Sequence, residues 1–259
     1  MTATAIVNYH VTSDEPQAFH IDANGVKGKI LSPILAPKKI EVLDARDSNT
    51  EADFWRDSLL FVQSPSSVQN FIDSKSWENN YNQQIVELLK QQLGATEAIV
   101  FDHTIRIDDP DSNRKPARNV HSDYSEAGAH ERLKDLIGPE RVKQWQADHF
   151  GFVNLWRPIE TPIKTAPLGF IRPQSVDAAD WLELSLIYPD RIGQIMGVLP
   201  NHNHEWVYLS NMTPDEVAIF NIYDNQGLPS IGHSALDLIE NQPTQAIRKS
   251  IETRTLIRY

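Results

Sequence analysis

The period of the hydrophobic positions changes several times along the chain. Over Ala5–His10 and Lys39–Asp44 apolar residues alternate or come in short runs. Gly25, Gly28 and Pro33 punctuate them, which predicts strands. From Ser67 to Leu93 the spacing of Val68, Phe71, Ile72, Ile85, Leu88, Leu89 and Leu93 is helical, with Gly94 as a C-cap. Ala98–Ile107 alternates again and predicts a strand. Ala129–Gln146 sets Leu133, Leu136, Ile137, Val142 and Trp145 at helical spacing, and Pro139 after Gly138 predicts a second helix start there. Beyond Phe150 the pattern turns to short strands: Phe152–Arg157, Pro167–Ile171, Gly193–Leu199, Glu205–Leu209, Glu216–Tyr223 and Lys249–Tyr259. Asp177–Tyr188 reads as an insert of mixed or helical character. Helices followed by many short strands predict a mainly β protein with flanking helices, an α+β arrangement. A helical layer would buttress a sandwich or barrel such as a jelly roll.

Composition narrows the chemistry. The chain has 259 residues, 40% apolar and 23% charged, with no repeat and no long linker, so one domain over 1–259 is expected. Twenty-four Lys and Arg against 35 Asp and Glu give a net charge of −11, which disfavours binding to nucleic acid or an anionic membrane. No run of 18 apolar residues predicts a membrane helix, and the first twenty residues, with Asp14 and Glu15, do not read as a signal peptide. There is no Cys, which excludes disulfides, thiolate catalysis and Cys-ligated metal, and makes the cytosol the expected compartment. Any metal must be held by His, Asp or Glu.

His121-Ser122-Asp123 is the informative segment. If it is extended, an imidazole and a carboxylate two residues apart fall on one face, which is two-thirds of a facial triad for Fe(II). Such a pair alone is a weak signal, and a solvated turn explains it as well. Among the downstream histidines, His130 lies on a helix too near in sequence, His149 reads as a surface or capping residue, and His202 and His204 look like a polar hairpin tip. His233 falls between two strands near the far end of the chain, where a jelly roll would deliver a third ligand. In the terminal strand, Arg248, Ser250, Glu252 and Arg254 share a face. That pattern ordinarily marks a solvated sheet face, yet a guanidinium fork with a hydroxyl two residues on also suits a carboxylate. Arg248 is favoured over Arg254 as the anchor because Ser250 is its neighbour.

The order His-x-Asp, a His about 110 residues later, then Arg-x-Ser resembles the Fe(II)/2-oxoglutarate-dependent oxygenases. More narrowly, the chain resembles the hydroxylase/desaturase family of fungal and bacterial natural-product clusters, related to the small component of cephalosporin 7α-methoxylase. The resemblance runs from about Arg114 to Tyr259. It rests on Lys115-Pro116-Ala117, His121–Ser125, Gly128-Ala129, Asn154–Ile159, Pro167-Leu168, Glu205–Tyr208, Asp215–Val217, Tyr223-Asp224, Gly232–Ala235 and Arg248–Arg254. The chain departs from the family at Gly169–Arg172, where an Asp is common, and at Gly232, where Pro is common. The resemblance implies a double-stranded β-helix holding Fe(II) through His121, Asp123 and His233, with 2-oxoglutarate at Arg248 and Ser250 or at Arg254, and dioxygen as the oxidant. Tyr124, Asn154, Trp156 and Arg157 are the expected pocket residues. The implied reaction is oxidation of an unactivated C–H bond in a small natural-product or amino-acid-derived substrate, by hydroxylation, desaturation or cyclisation. A small molecule is the expected partner, with a homodimer left open. The rival readings are a metal-dependent, non-redox jelly-roll isomerase or hydrolase, which would not need Arg248, and a binding module with a vestigial triad.

Overall fold

A computed structural model describes residues 2–47, 52–72, 75–239 and 246–259. Strands β1 (Thr2–His10), β2 (Ala18–Ile21), β3 (Ile30–Leu31) and β4 (Leu35–Asp44) come first. A short helix α1 (Phe54–Asp57), β5 (Leu59–Gln63), helix α2 (Glu78–Leu93) and β6 (Glu97–Ile107) follow. Then come β7 (His121–Ser122), α3 (Glu126–Ile137) and α4 (Pro139–Ala147). The remainder is β8 (Phe150–Pro158), β9 (Leu168–Ile171), β10 (Trp181–Ile187), β11 (Ile192–Val198), β12 (Trp206–Tyr208), β13 (Glu216–Asp224), β14 (His233–Ala235), β15 (Asp237–Leu238) and β16 (Lys249–Arg258).

The strands form two facing sheets of a double-stranded β-helix. The larger has the order β15-β1-β4-β12-β9-β14-β7-β11-β10-β2-β3 and the smaller β5-β13-β8-β16-β6. Strand alternation sorts side chains between three apolar layers. From β8, Phe152 and Trp156 join Phe170 of β9 and Phe220 of β13 in the cluster between the sheets. The intervening Val153 and Leu155 join Ile251 and Ile257 of β16 on the outer face, where Tyr81, Ile85, Leu88, Leu89 and Leu93 of α2 cover them. The i, i+4 spacing of those five helical residues is what buries one stripe of α2. Ala5, Val7 and Tyr9 of β1, with Trp206, pack on the far side of the larger sheet.

Helical spacing over 67–93 is realised only from Glu78, and residues 73 and 74 lie outside the described ones. The upstream Ser66 and Ser67 instead bond Gln84 of α2, so that segment straps the helix. Gly94 ends α2 at φ 72, as expected of a residue without a Cβ. Gly138, at φ 74, separates α3 from α4, whose first residue is Pro139. Asp177–Tyr188 is a correction: only Ala178–Asp180 forms a 3-10 turn, and Trp181–Ile187 is a strand paired antiparallel with β11. Its Leu182, Leu184 and Leu186 alternate and pack with Phe19 and Ile195, a period of two that the surrounding charges obscure in the sequence.

Candidate metal centre

Register brings two histidines together. β14 lies between β7 and β9, and His233 stands directly opposite both His121 and Phe170. On the other side of β7, His121 faces Gly197, where a Cβ would sit 2.6 Å from the His10 ring, so glycine is needed for the sheet to close there. Asp123 is just past the end of β7. Ser125 caps α3 by accepting from the Gly128 amide at 3.0 Å, so Asp123 occupies the corner between strand and helix. Donor atoms of His121, Asp123 and His233 all lie within 4.8 Å of one another. His121 Nε2 is 3.5 Å and His233 Nε2 4.0 Å from Asp123 Oδ1.

Surrounding groups determine which atoms face the centre. His121 Nδ1 donates to the Asn119 carbonyl at 2.9 Å and His233 Nδ1 to the Ile231 carbonyl at 3.3 Å, which turns both Nε2 lone pairs inward. Asp123 Oδ2 accepts from Asn154 Nδ2 at 2.8 Å and from Arg254 Nε at 2.9 Å, which leaves Oδ1 for the centre. Burial would raise the Asp123 carboxyl, but the Arg254 charge and the two imidazoles outweigh it and hold it well below the usual carboxylate range. Burial, and then the neighbouring His121, push His233 down to about 3, so its ring is neutral at physiological pH. Its Nε2 is buried without a hydrogen-bond partner. A buried polar atom left unpaired costs roughly 1–3 kcal/mol. Two imidazole nitrogens and one carboxylate on one side of a point form the donor set that suits Fe(II), and the orphaned Nε2 is what such an ion would satisfy.

Arg248, just before β16, and Arg254, within it, have opposite surroundings. Arg254 spends its donors on protein: Nε on Asp123, Nη1 on Asp102 at 2.7 Å and Thr104 at 2.9 Å, and Nη2 on Glu252. Arg248 is 3% exposed and lies 5.3 Å over the Trp156 ring, yet its Nε and Nη1 have no partner, and neither does Ser250 Oγ. Burial, then the nearby Arg106 charge, lower Arg248 to about 9, which still leaves it protonated at neutral pH. An unpaired buried cation beside a second one, with an idle hydroxyl, fits the free carboxylate end of 2-oxoglutarate.

The expected pocket residues divide by strand face. Asn154 and Trp156 point between the sheets, Asn154 onto Asp123. Tyr124 lines the cavity with its ring 4.9 Å from Phe152. Arg157 does not reach the pocket. It sits on the outer face of β8, 5.3 Å over the Tyr81 ring of α2, because strand alternation turns it away from Asn154. Gly169–Arg172, where the chain departs from the family pattern, is not part of the cavity lining: Phe170 packs beside His233, and Arg172 pairs with Asp57 at 3.1 Å. His204 is committed to the Tyr9 hydroxyl and Asp180, and so is unavailable as a ligand. Sequence reasoning missed Asp102, Thr104 and Arg106, whose alternation on β6 puts all three on the face opposite Arg254, Glu252 and Ser250. The signal was there, a polar face on a strand whose neighbour also carries polar residues every second position.

Removing the Asn154 bond tests how far these outer contacts tune the centre. Asn154→Ala is expected to weaken metal binding about 10- to 100-fold, since the groups that orient a metal ligand typically matter by that much. Titration with Mn(II) reads this directly, and unchanged affinity would show that Arg254 alone positions Asp123.

The barrel and its two-histidine, one-carboxylate face define the class, a double-stranded β-helix protein with a facial metal site. A family model described as "Oxidoreductase/YMDC permease-like domain" matches residues 7–258, and the chain belongs to this family. The hydroxylase/desaturase efuI of Hormonema carpetanum is 28% identical over 248 residues, covering 84% of this chain and 82% of the relative. The Fe(II)/2-oxoglutarate-dependent dioxygenase nvfI of Aspergillus novofumigatus is 27% identical over 235 residues, covering 85% and 83%. A solved structure of the iron and alpha-ketoglutarate-dependent endoperoxidase NvfI superposes with a TM-score of 0.88 at 22% identity, covering 99% of this chain and 98% of that one, which shows the fold. These relatives support the hydroxylase/desaturase resemblance and do not bear on the kinship with the cephalosporin methoxylase component.

Proposed function

We infer that His121, Asp123 and His233 hold one Fe(II), and that the chain, an Fe(II)- and 2-oxoglutarate-dependent dioxygenase, oxidises an unactivated C–H bond of a small natural product. The observation that carries this reading is the arrangement of donors: two inward Nε2 atoms and Asp123 Oδ1 face one point, while every other polar atom of the three side chains is taken elsewhere. The bound iron would couple decarboxylation of 2-oxoglutarate by dioxygen to cleavage of the substrate C–H bond, one oxygen atom leaving in succinate and the other available to the substrate.

The protein's part is positioning. His121 and His233 supply the two nitrogen donors, and Asp123 supplies the single carboxylate oxygen, held by Asn154 and Arg254. Arg248 and Ser250 take the far carboxylate of 2-oxoglutarate, with Trp156 as a flat support under the guanidinium. Phe220, 5.0 Å from His233, and Phe170 exclude water on the inner side. Tyr124 forms the cavity wall next to Asp123.

We take the whole chain to act as one domain, because each sheet draws strands from both halves of the sequence. No helix among the described residues is long and apolar enough to cross a membrane. A cytosolic setting and independence from nucleic acid rest on the absence of Cys and the net charge of −11.

The test is formation of succinate from 2-oxoglutarate with Fe(II) and ascorbate, without any added substrate. Slow uncoupled turnover that stops on chelation is expected. Metal binding with no succinate under any condition would leave a non-redox jelly-roll enzyme as the better reading.

A further inference from the structure

The open side of the barrel carries the opposite charge to the rest of the molecule. A cavity of about 1350 Å³ lies between β6, the edge of the smaller sheet, and β2, β3, β10 and β11 at the edge of the larger one. Asp123 and His121 are at its base. Nine Lys and Arg line it against four Asp and Glu, in a chain where acids outnumber bases 35 to 24. Arg254 is shared by Asp102, Asp123 and Glu252, Arg118 is paired with Asp108 and Asp237, and Arg191 with Asp190, which leaves six of the nine cations without a carboxylate partner among the described residues. Glu131 pairs with Lys134, outside the cavity.

The excess is concentrated where two loops meet. Lys27 and Lys29 flank Gly28, whose φ is +79 and whose Cα lies so close to Asn113 that a Cβ would sit 3.0 Å from the Asn113 carbonyl oxygen. Arg114 and Lys115 follow Asn113. Their backbone is tied to β6, because the Ile107 amide donates to the Arg114 carbonyl and Arg106 Nη1 to the Lys115 carbonyl, both at 3.0 Å. None of Lys27, Lys29, Arg114 and Lys115 has a carboxylate partner among the described residues. Asp22 accepts from the Gly28 amide and Asp109 from the Asp111 amide, and none of Asp22, Asp109 and Asp111 lines the cavity. Across the cavity Phe19, Ile21, Leu186 and Ile195 offer an apolar wall.

We propose that the substrate is an amphiphilic carboxylic acid, whose apolar body lies along Phe19, Ile21, Leu186 and Ile195 and whose carboxylate is read at the rim by Arg114 and Lys115, with Lys27 and Lys29 adding to the field. This rests on the dioxygenase reading above and names the substrate class for it. A cleft of one sign in a molecule of the other concentrates field lines at its mouth, so the rim selects and steers an anion that the rest of the surface repels.

A matched pair of probes tests it, 1-pyrenebutyrate and 1-pyrenebutanol, followed by fluorescence on the full chain, both metal-free and loaded with Mn(II) and saturating 2-oxoglutarate. Several exposed cations at a fraction of a kcal/mol each should favour the acid about tenfold at low salt, and 0.5 M NaCl should remove most of that preference. The Arg114→Ser/Lys115→Ser double variant should bind both probes alike and keep its 2-oxoglutarate affinity, while Lys143→Ser, on exposed α4, should keep the preference. Equal binding of the two probes to the unaltered protein overturns the proposal. So does a preference that vanishes when 2-oxoglutarate saturates, since the rim would then serve the co-substrate. Because binding is read without turnover, failure of the dioxygenase reading leaves this result standing on its own.

Discussion

His233→Ala is expected to abolish both metal binding and turnover, with His121→Ala doing the same. Each removes one of two nitrogen donors from a three-donor site, and no further His, Asp or Glu among the described residues belongs to that group of donors. His10 is fully buried, its ring lies against Gly197 and edge-on to Phe19, and it is near enough to His121 for the two rings to interact electrostatically, but its nitrogens are not among the donor atoms that gather within 4.8 Å of one another. His202 and His204 were the sequence alternatives, and His204 is held between Tyr9 and Asp180. Loss of fold would confound the result, yet little should be lost. His233 makes one long bond, to the Ile231 carbonyl, and its Nε2 has no partner. Saturation at a hundred times Kd stabilises a protein by about 2.7 kcal/mol. Mn(II) should therefore raise the melting temperature of the unaltered chain by several degrees and leave that of His233→Ala unchanged. A variant that still gains stability from Mn(II), or still forms succinate, would show that the metal is held elsewhere.

Much of this site was legible because its residues have few alternatives. A chain without Cys must use His and carboxylates for metal, and of the histidines far enough beyond His121-Ser122-Asp123 for separate strands to meet, His233 lies between two strands while His202 and His204 lie at a polar hairpin tip. The strand alternation Arg248, Ser250, Glu252, Arg254 likewise fixed a common face, which the register with Asn154, Trp156 and Asp102, Thr104, Arg106 bears out. Sequence alone could not say which face looked inward. Arg157 shows why. On β8 every residue from Phe150 to Pro158 is buried, so neither face is marked by polarity, and the arginine that looked like a pocket residue lies under α2 instead. An extended segment would put His121 and Asp123 on one strand face, and a turn is the other reading; the strand stops at Ser122 and Asp123 sits in the corner before α3. The Ser125 cap that makes this corner is readable in the sequence, but which way the corner turns depends on the pairing of β7 with β11 and β14, which no local pattern encodes.

Arg248→Ala is expected to raise the KM for 2-oxoglutarate at least ~30-fold while leaving metal affinity within about twofold. Truncating one partner of a buried charge pair costs on the order of 2–5 kcal/mol, and ~30-fold is the lower end of that range. The prediction depends on Arg248, just before β16, and Arg254, within it, having different tasks. Arg254 has Asp123, Asp102, Thr104 and Glu252 around it and keeps no fork for a ligand; its charge is held well above its usual range by Glu252 and Asp123, burial notwithstanding. Arg248 has the reverse character, with a buried guanidinium lowered by burial and by Arg106, idle donors, and an idle Ser250 hydroxyl two residues on. Arg254→Ala should therefore act through Asp123, weakening Mn(II) binding first and 2-oxoglutarate only as a consequence. Arg248→Lys separates charge from shape. It keeps the cation but loses the two-pronged geometry, so its KM should fall between those of the unaltered enzyme and Arg248→Ala. Paired titrations of Mn(II) and 2-oxoglutarate on the three variants decide the matter. If Arg254→Ala raises the 2-oxoglutarate KM with metal binding intact, and Arg248→Ala does not, the co-substrate lies at the other end of the strand and the two roles exchange.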